Sequence, residues 1–281
     1  VGAGGGGFPT HAKYEARVEV VLANGAECEP LARVDRQEMA ARPGDVIRGL
    51  ELAMAATGAA RGVIGLKEKY HDALDALTAT LRKRKLEERI SLFPLGNFYP
   101  AGDEFVLVRE VLGAVVSNGS TLIDVAAAVD HERPVASRLV TVAGAVRSPA
   151  TFRVPVGTPV AALAAAAGGA TESAVRLVLG GPMMGSLAPD ANAPVVKTTS
   201  LVLVLPVRHP VVQRRLRDAR RQIHLTRAAC LKCMMCTEVC PRNSLGHRLF
   251  PDRLMRNLAA GVGEDAAAFA GAYLCSECGL C

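Results

Sequence analysis

The sequence lacks tryptophan, and its aromatic residues make up only 4% of 281 residues. No apolar run reaches the roughly 18–20 residues that a membrane-spanning helix needs, and the apolar stretch from Thr198 to Val207 is short enough for a buried strand. Few aromatics and no recognised nucleic-acid motif argue against nucleic-acid binding. No secretory signal is recognised, which argues against a disulfide framework. We therefore expect no transmembrane segment and no nucleic-acid partner. Unprotected thiols imply a reducing compartment, so the expected location is the cytoplasm.

Charge is modest, with a formal net charge of +6, and much of it lies in one stretch. Seven arginines fall between Arg208 and Arg227, beside His209 and His224. A run of this kind is usually the solvated face of a helix. The alternatives are a docking surface for an acidic partner and compensation for nearby anionic groups.

Seven of the eight cysteines fall in two short runs. The first has the spacing C-x2-C-x2-C-x3-C-P and the second the spacing C-x2-C-x2-C, which is the pattern of bacterial ferredoxins with two [4Fe-4S] clusters. In that pattern the fourth cysteine of a run binds the cluster of the other run. The expected ligands are therefore one set of four, Cys240, Cys275, Cys278 and Cys281, and one set of three, Cys230, Cys233 and Cys236.

The second set lacks a fourth cysteine in this sequence, so only one cluster has a complete ligand set here. Because the chain stops at Cys281, we expect a fragment of a longer protein. Zinc is the alternative metal, but zinc ribbons usually separate their cysteine pairs by about 12–20 residues. The separation here is longer, and zinc does not explain all the cysteines of the first run.

A glycine-rich run, residues 2–7, precedes Phe8-Pro9-Thr10. Glycines let backbone N–H groups approach an anion closely, so a phosphate or nucleotide is the natural ligand. Lys13 follows at a distance that can neutralise a phosphate. A flexible terminus with a solvated lysine is the alternative.

Strands and helices then alternate, which predicts an α/β layer fold. The predicted strands are 17–22, 62–66 and 90–95, and the predicted helices are 43–57, 70–85 and 103–112. Ligands on such sheets bind at the carboxyl ends of strands. Polar loops follow the first and third strands there, at 24–30 and 97–104.

A boundary is expected near residues 131–134. Beyond it, strands at 139–146, 151–154, 175–179 and 200–207 predict a small sheet with one alanine-rich helix. Thr158 is expected to cap that helix, with Pro159 at its first position. Gly180-Gly-Pro-Met-Met-Gly185 is a tight loop whose methionines we expect to fill the core. From Val211 onward the chain is expected to be helical around the cysteines.

Taken together, these motifs resemble one family. The G-x-G-G-x-G-F-P-T run, the A-E-C-E-P loop, the Y-P-x-G-x-E stretch, the G-G-P-M-M-G loop and the two cysteine runs occur in the same order in the Rnf complex C subunit. They also occur in the cobalamin reductases of propanediol-utilising microcompartments, and the flavin domain resembles that of the NADH-binding subunit of respiratory complex I. The resemblance implies an α/β domain for FMN and NADH at 1–134, a β-grasp domain of the SLBB type at 135–207, and a helical ferredoxin-like iron–sulfur domain at 208–281, truncated at its C-terminus.

The resemblance also implies the site residues. Glu27 and Glu29 would act beside the isoalloxazine and nicotinamide rings. The FMN would be held by Gly4, Gly5, Gly7, Lys13, Asn24, Tyr99, Gly102, Asp103, Glu104 and Asn118. The alternative for each lone carboxylate is a solvated loop charge, and Cys28 is expected to be a buried small side chain.

The implied function is a reductase in which electrons pass from NADH through FMN and [4Fe-4S] clusters to a corrinoid. Partners would be a corrinoid-handling enzyme and microcompartment shell proteins, and the location would be a bacterial microcompartment. The alternative is an Rnf-type subunit that works with membrane subunits at the inner face of the membrane. Ala3 and Ala16 stand where complex I has an arginine and an aromatic residue. They motivate a third hypothesis, a non-enzymatic electron conduit or scaffold with a decayed nucleotide site.

Overall fold

The computed structural model describes residue 2 and residues 6–110, 114–261 and 266–281. Two of the predicted flavin ligands, Gly4 and Gly5, lie outside the described residues, and so does Ala3. None of the helices in the described ranges is long and apolar enough to cross a membrane.

The first part of the chain is a parallel sheet covered by helices. The strands within the described residues have the order β3-β2-β1-β4 and are all parallel. In chain order the elements are α1 (Thr10–Tyr14), β1 (Val20–Gly25), α2 (Val34–Ala41), α3 (Pro43–Thr57), β2 (Arg61–Lys67), α4 (His71–Arg84), β3 (Ile90–Leu95), α5 (Glu104–Glu110), β4 (Ala114–Asn118) and α6 (Gly119–His131). Every residue of β1 is buried, as expected for a strand with helices on both faces of the sheet.

Helix α3 illustrates how local residues determine these elements. Pro43 opens the first turn, and Gly58 ends the helix in the left-handed conformation with its N–H bonded to the carbonyl of Met54. Apolar side chains at helical spacing, including Ile47, Leu50 and Met54, are fully buried. A Cβ on Gly49 would lie 2.0 Å from the carbonyl oxygen of Leu122, so only glycine lets α3 and α6 cross this closely.

The strand order reverses between β1 and β4, and ligands bind at such a switch point in open parallel sheets. The carboxyl ends of these two strands carry Asn24 and Asn118, which are register partners. The fold therefore places two predicted flavin residues side by side at the expected crevice.

The second part is a mixed five-stranded sheet with the order β6-β5-β9-β7-β8 and the β-grasp arrangement. Strands β5 and β9 are parallel to each other, and the other neighbouring pairs are antiparallel. The elements are β5 (Ser137–Gly144), β6 (Ala150–Pro155), α7 (Val160–Ala166), β7 (Val175–Leu179), β8 (Ser186–Leu187) and β9 (Leu201–Pro206). Two ion pairs join this sheet to the first part, Arg138–Asp124 at 2.9 Å and Arg153–Glu38 at 2.6 Å.

The third part is helical, as expected. It contains α8 (Pro210–Leu216), α9 (Ala219–Ala229), α10 (Met235–Glu238), α11 (Pro241–Ser244), α12 (Pro251–Ala260) and α13 (Ala266–Ala272). A buried hydrogen bond of 2.6 Å from Thr237 to Asp252 ties α10 to α12. Many large apolar side chains here are exposed, with Leu231 at 87% and Tyr273 at 94%.

The fold class is confirmed, and several local predictions need correction. The first strand begins three residues later than predicted, and the helix predicted from Asp103 begins at Glu104 because the Asp103 carboxylate accepts the N–H of Phe105 at 2.9 Å. Helix α7 begins at Val160 with Pro159 as its N-cap, while the hydroxyl of Thr158 donates to the carbonyl of Pro155 instead of capping. Helices α2 and α6 and strand β4 were not predicted from the sequence.

Candidate functional site

All three parts of the chain meet around one cavity of about 300 Å³, which we call the central cavity. A volume of this size is within the range of small-molecule and cofactor sites. Its lining combines the loops after β1, β3 and β4 with β5, the loops of the second sheet and the last cysteine run. The lining residues are Gly6, Asn24, Glu27, Cys28, Glu29, Ala32, Val34, Asp35, Tyr99, Pro100, Gly102, Asp103, Asn118, Ser120, Arg138, Met184, Thr198, Ser200, Ser276 and Cys278.

Asn24 joins two of these loops. Its amide nitrogen donates to the carbonyl of Gly102 at 2.8 Å, and its amide oxygen accepts the N–H of Ala26 at 3.1 Å. The N–H of Gly102 in turn donates to the sulfur of Cys28 at 2.7 Å. Cys28 is half-buried, and burial raises the pKa of its thiol. These bonds show that the side chains of Asn24 and Cys28 shape the wall of the cavity, although Cys28 was expected to be buried.

Glu27 lines the central cavity, but its carboxylate is directed to the start of α2. It accepts the N–H of Val34 at 2.7 Å, with longer bonds from the next two residues. Burial, together with the neighbouring carboxylate of Asp35, raises the pKa of Glu27 to about 8. Asp35 is half-buried, and its carboxylate accepts the N–H of Ser120 at 3.2 Å. A carboxyl pair therefore lies at the base of the cavity.

Glu29 also lines the cavity, and it holds the G-G-P-M-M-G loop. Its carboxylate accepts the backbone N–H groups of Met183 at 3.2 Å and Met184 at 2.6 Å. On the carbonyl side of the same loop, the guanidinium of Arg215 donates to Gly185 at 2.6 Å and to Pro182 at 3.0 Å. An acidic and a basic side chain thus clamp the loop from opposite sides. Met184 is 54% exposed, so the prediction that it fills the core was wrong.

Lys13 lies in a smaller cavity beside the central one. Its ammonium group donates to Glu104 at 3.1 Å and to the carbonyl of Val116 at 2.7 Å. Gly6 and Asn118 line both cavities, so Gly6, the lysine and the asparagine meet in one place. Gly7 has a left-handed φ of 71°, and a Cβ there would lie 2.9 Å from the methyl group of Thr198.

Tyr99 and Asp103 connect the cavity to the cysteine region. The hydroxyl of Tyr99 donates to the carbonyl of Cys278 at 2.7 Å, and burial raises its pKa. The carboxylate of Asp103 lies 3.5 Å from the guanidinium of Arg242, two residues after Cys240. Both of these predicted flavin residues therefore also contact the iron–sulfur part of the chain.

Arg138 is a lining residue that was not predicted from the sequence. It reaches the cavity from β5, its side chain is only 5% exposed, and one nitrogen is bound to Asp124. Its Nε atom is buried and has no hydrogen-bond partner among the described residues. A buried N–H donor without a partner is costly, which fits a ligand with acceptor oxygens such as FMN. The sequence around Arg138 has no motif that would identify it as a cavity residue, because it lies on a strand of the second sheet.

The cysteines surround two further cavities. We call the first, of about 330 Å³, the inner cysteine cavity, because it adjoins the central cavity through Ser276 and Cys278. Its lining contains the complete set predicted by the ferredoxin rule, Cys240, Cys275, Cys278 and Cys281. Burial, together with the other three thiols, raises the pKa of Cys281.

The second of these, of about 440 Å³, is the outer cysteine cavity, and it is lined by Cys230, Cys233 and Cys236. Its walls include exposed apolar residues such as Leu231 and Met235. Among the described residues, no three His, Cys, Asp or Glu side chains are close enough to hold a single metal ion. A four-iron cluster is larger than one ion, and thiols ringed around a cavity are the donor set that it requires.

Three family models match this chain in succession. They are the Nuo51 FMN-binding domain over residues 1–138, the SLBB domain over residues 139–186 and the 4Fe-4S dicluster domain over residues 229–281. The cofactors assigned to the chain are accordingly FMN and [4Fe-4S] clusters.

Curated relatives match nearly the whole chain. Cobalamin reductase PduS of Salmonella typhimurium is 43% identical over all of this chain and 64% of its own length. The C subunit of the Na+-translocating ferredoxin:NAD+ oxidoreductase complex of Acetobacterium woodii is 31% identical over 86% of this chain and 55% of its own length. The C subunit of the ion-translocating oxidoreductase complex of Rhodobacter capsulatus is 32% identical, over 95% and 51%.

The chain is similar to these cobalamin reductases and complex C subunits along most or all of its own length. It spans less than two thirds of the length of each of these three relatives. Among solved structures, the air-oxidised NAD+-reducing [NiFe]-hydrogenase matches with a TM-score of 0.65 and 23% identity over 95% of this chain and 52% of its own chain. At that identity the match shows the shared fold.

Proposed function

We propose that this chain is the flavin and iron–sulfur part of an NADH-dependent reductase that passes electrons to a corrinoid. The observation that carries the proposal is the junction at Cys278, which lines both the central cavity and the inner cysteine cavity. A cofactor in the first cavity and a cluster in the second would be separated by little more than this one residue.

The central cavity suits FMN. The phosphate would lie near Lys13 and the glycine run, where the small cavity adjoins the central one through Gly6 and Asn118. Arg138 offers a buried N–H donor. FMN, when bound, accepts two electrons and releases them one at a time. Glu29, Asn24 and Gly102 would act by holding the loops that shape the cavity, and Glu27 by anchoring α2.

The two cysteine sets would then have an order. Cys278 places the inner set beside the central cavity, and Tyr99 fixes its backbone there. The outer set lines no part of the central cavity, and its surroundings are exposed and apolar. We assign the inner set to the entry of electrons from the flavin, and the outer set to their exit towards the acceptor.

A corrinoid acceptor is supported by the relatives named cobalamin reductase, which are 42–43% identical to this chain. The second candidate is an Rnf-type role that delivers electrons to other subunits, supported by the C subunits at 31–32% identity. On the first proposal the partners are a corrinoid-handling enzyme and microcompartment shell proteins, and the location is a microcompartment. We propose domain limits of 1–134, 135–207 and 208–281.

The test uses anaerobic protein reconstituted with FMN, iron and sulfide. Stopped-flow mixing with NADH should bleach the flavin, and added hydroxocobalamin should then be reduced, as seen in its visible spectrum. Bleaching without corrinoid reduction would favour the Rnf-type role. No bleaching by NADH or NADPH, with flavin bound, would favour the non-enzymatic conduit or scaffold. Reduction by dithionite shows that the cofactors themselves are competent.

A further inference from the structure

The inner cysteine cavity contains one feature that neither the family models nor the relatives assign. Arg242 is the single basic residue among the described residues that line this cavity, and its side chain is only 12% exposed. Glu277 is the acidic residue on the same lining, and it is exposed. A fixed positive charge therefore lies beside four thiols that would be anionic when they bind a cluster.

Arg242 is held from two directions. Its guanidinium stacks on the ring of Phe105 at 3.6 Å from the ring centre, and it pairs with Asp103 at 3.5 Å. The Asp103 carboxylate is itself only 8% exposed and caps α5. Since Asp103 also lines the central cavity, the pair lies between the two cofactor cavities.

One donor of Arg242 is unused. Within the part of the chain that the structure describes, two buried side-chain nitrogen atoms have no hydrogen-bond partner, Nε of Arg138 and Nε of Arg242. Each of these arginines lines a cofactor cavity. No atom of the described residues, the cysteine sulfurs included, accepts from this N–H, so it is available to a sulfur of a bound cluster.

We propose that Arg242 raises the reduction potential of the cluster bound by Cys240, Cys275, Cys278 and Cys281, and that Asp103 moderates this effect. The inference rests on the cofactors in the proposed function. Adding one electron makes the cluster more negative by one charge, without making or breaking a bond. A nearby cation and N–H donors to sulfur both stabilise that reduced state. The arrangement favours transfer of an electron from the flavin into this cluster.

The test measures the cluster's midpoint potential by redox titration followed by electron paramagnetic resonance. Arg242→Met should lower the equilibrium constant for cluster reduction about tenfold, which is about 59 mV for one electron. Arg242→Lys keeps the charge but loses the stacked Nε–H, so its shift should be smaller and in the same direction. Asp103→Asn removes the opposing charge and should shift the potential in the positive direction.

Arg253→Met is the matched control. Arg253 lies in the same helical part and stacks on Phe250 at 4.5 Å, but it lines neither cysteine cavity. The inner cluster of the Arg253→Met variant should have the same midpoint potential as that of the wild type. Titrating each variant also in a Cys233→Ala background restricts the signal to the inner cluster.

The proposal is overturned if Arg242→Met and Arg253→Met have the same potential, or if Arg242→Met shifts it upward. Should Arg242→Met fail to fold, Arg242→Lys and Asp103→Asn still decide, because their shifts must have opposite signs. Wild-type protein that binds no cluster after reconstitution would instead refute the proposed function.

Discussion

The central cavity and the two cysteine cavities use their side chains in different ways. Around the central cavity, Asn24, Glu27 and Glu29 are bound to backbone groups of the protein itself. Around the cysteine cavities, five of the seven thiols are exposed or half-buried, and the two buried ones, Cys240 and Cys278, still line the cavity. The central cavity is shaped by loops that these side chains hold in place, whereas the cysteine cavities are lined by sulfur ligands for a cluster.

The difference teaches how each kind of motif encodes function. A cluster is held by sulfur atoms, so cysteine spacing specifies the ligands directly. A flavin site formed by loops depends on backbone shape, and its polar side chains act mainly by fixing that shape. The consequences of substitution should therefore differ in kind between the two regions.

The largest effect is expected from breaking the inner cysteine set. Cys240→Ala leaves three thiols around the inner cavity and should abolish reduction of a cluster after NADH is added. Cys233→Ala alters only the outer set and should leave that reduction intact. Stopped-flow absorbance and electron paramagnetic resonance of rapidly frozen samples measure both. If Cys233→Ala abolishes this reduction as completely as Cys240→Ala does, the four cysteines of the first run hold one cluster and the assignment across the runs is wrong.

How far the sequence could predict the structure follows the same division. The ferredoxin spacing grouped the cysteines as the two cavities do, because the cysteines of one loop complete a four-ligand set only with the help of the other loop. The strands Ile90–Leu95 and Val175–Leu179 were predicted at their observed bounds, since apolar runs between turn residues determine them. Helix α2 was missed because its first N–H is bonded by the carboxylate of Glu27 in the preceding loop, and not by a side chain at the usual capping position.

The residues that could not be predicted are those whose partners are far away in sequence. Arg138 reaches the central cavity from the second sheet, and Arg242 reaches Asp103 across 139 positions of the chain. Arg215 was expected on a solvated helix face with the other arginines, and it instead holds the loop at residues 180–185. The role of each is set by tertiary packing, for which a single sequence contains no local signal.

The next largest effect is expected at the loop of residues 180–185, which Glu29 and Arg215 hold in place. Arg215→Ala removes charged hydrogen bonds to the carbonyls of Gly185 and Pro182, and each such bond contributes about 1.5–3 kcal/mol. Because the Arg215 side chain is only half-buried, we expect less than the sum of the two, a loss of about 2–3 kcal/mol in the free energy of unfolding. Urea unfolding measures it, and hydrogen exchange should show faster exchange at residues 180–185.

Arg214→Ala is the matched control for this prediction, since Arg214 is exposed and adjacent in sequence. It should unfold at the wild-type urea concentration. Equal destabilisation by both substitutions would mean that the clamp on the loop does not contribute measurably to stability.

A smaller effect is expected at the phosphate end of the central cavity. Lys13→Ala should weaken FMN binding about tenfold to a hundredfold, the equivalent of one charge-assisted hydrogen bond. Quenching of flavin fluorescence measures the dissociation constant, with the exposed Lys83→Ala as control. An unchanged constant would indicate that Lys13 serves only its bonds to Glu104 and Val116.

The last expected effect, at Glu27, is seen only as a dependence of stability on pH. Burial raises the pKa of Glu27 from 4.5 to about 8, so the folded protein favours the protonated form. In the unfolded chain this carboxyl ionises near its ordinary pKa of 4.5. The stabilisation that is present below pH 4.5 is therefore lost as the pH rises through the folded pKa. The stability of the wild type should therefore fall between pH 4.5 and about 8, with a slope from this group of at most about 1.4 kcal/mol per pH unit.

Glu27→Gln, which cannot ionise, should flatten the curve of unfolding free energy against pH in this window. The exposed Glu15→Gln is the control and should reproduce the wild-type curve. If Glu27→Gln and the wild type have the same slope, Glu27 is ionised in the fold, and its bonds to the start of α2 outweigh its burial.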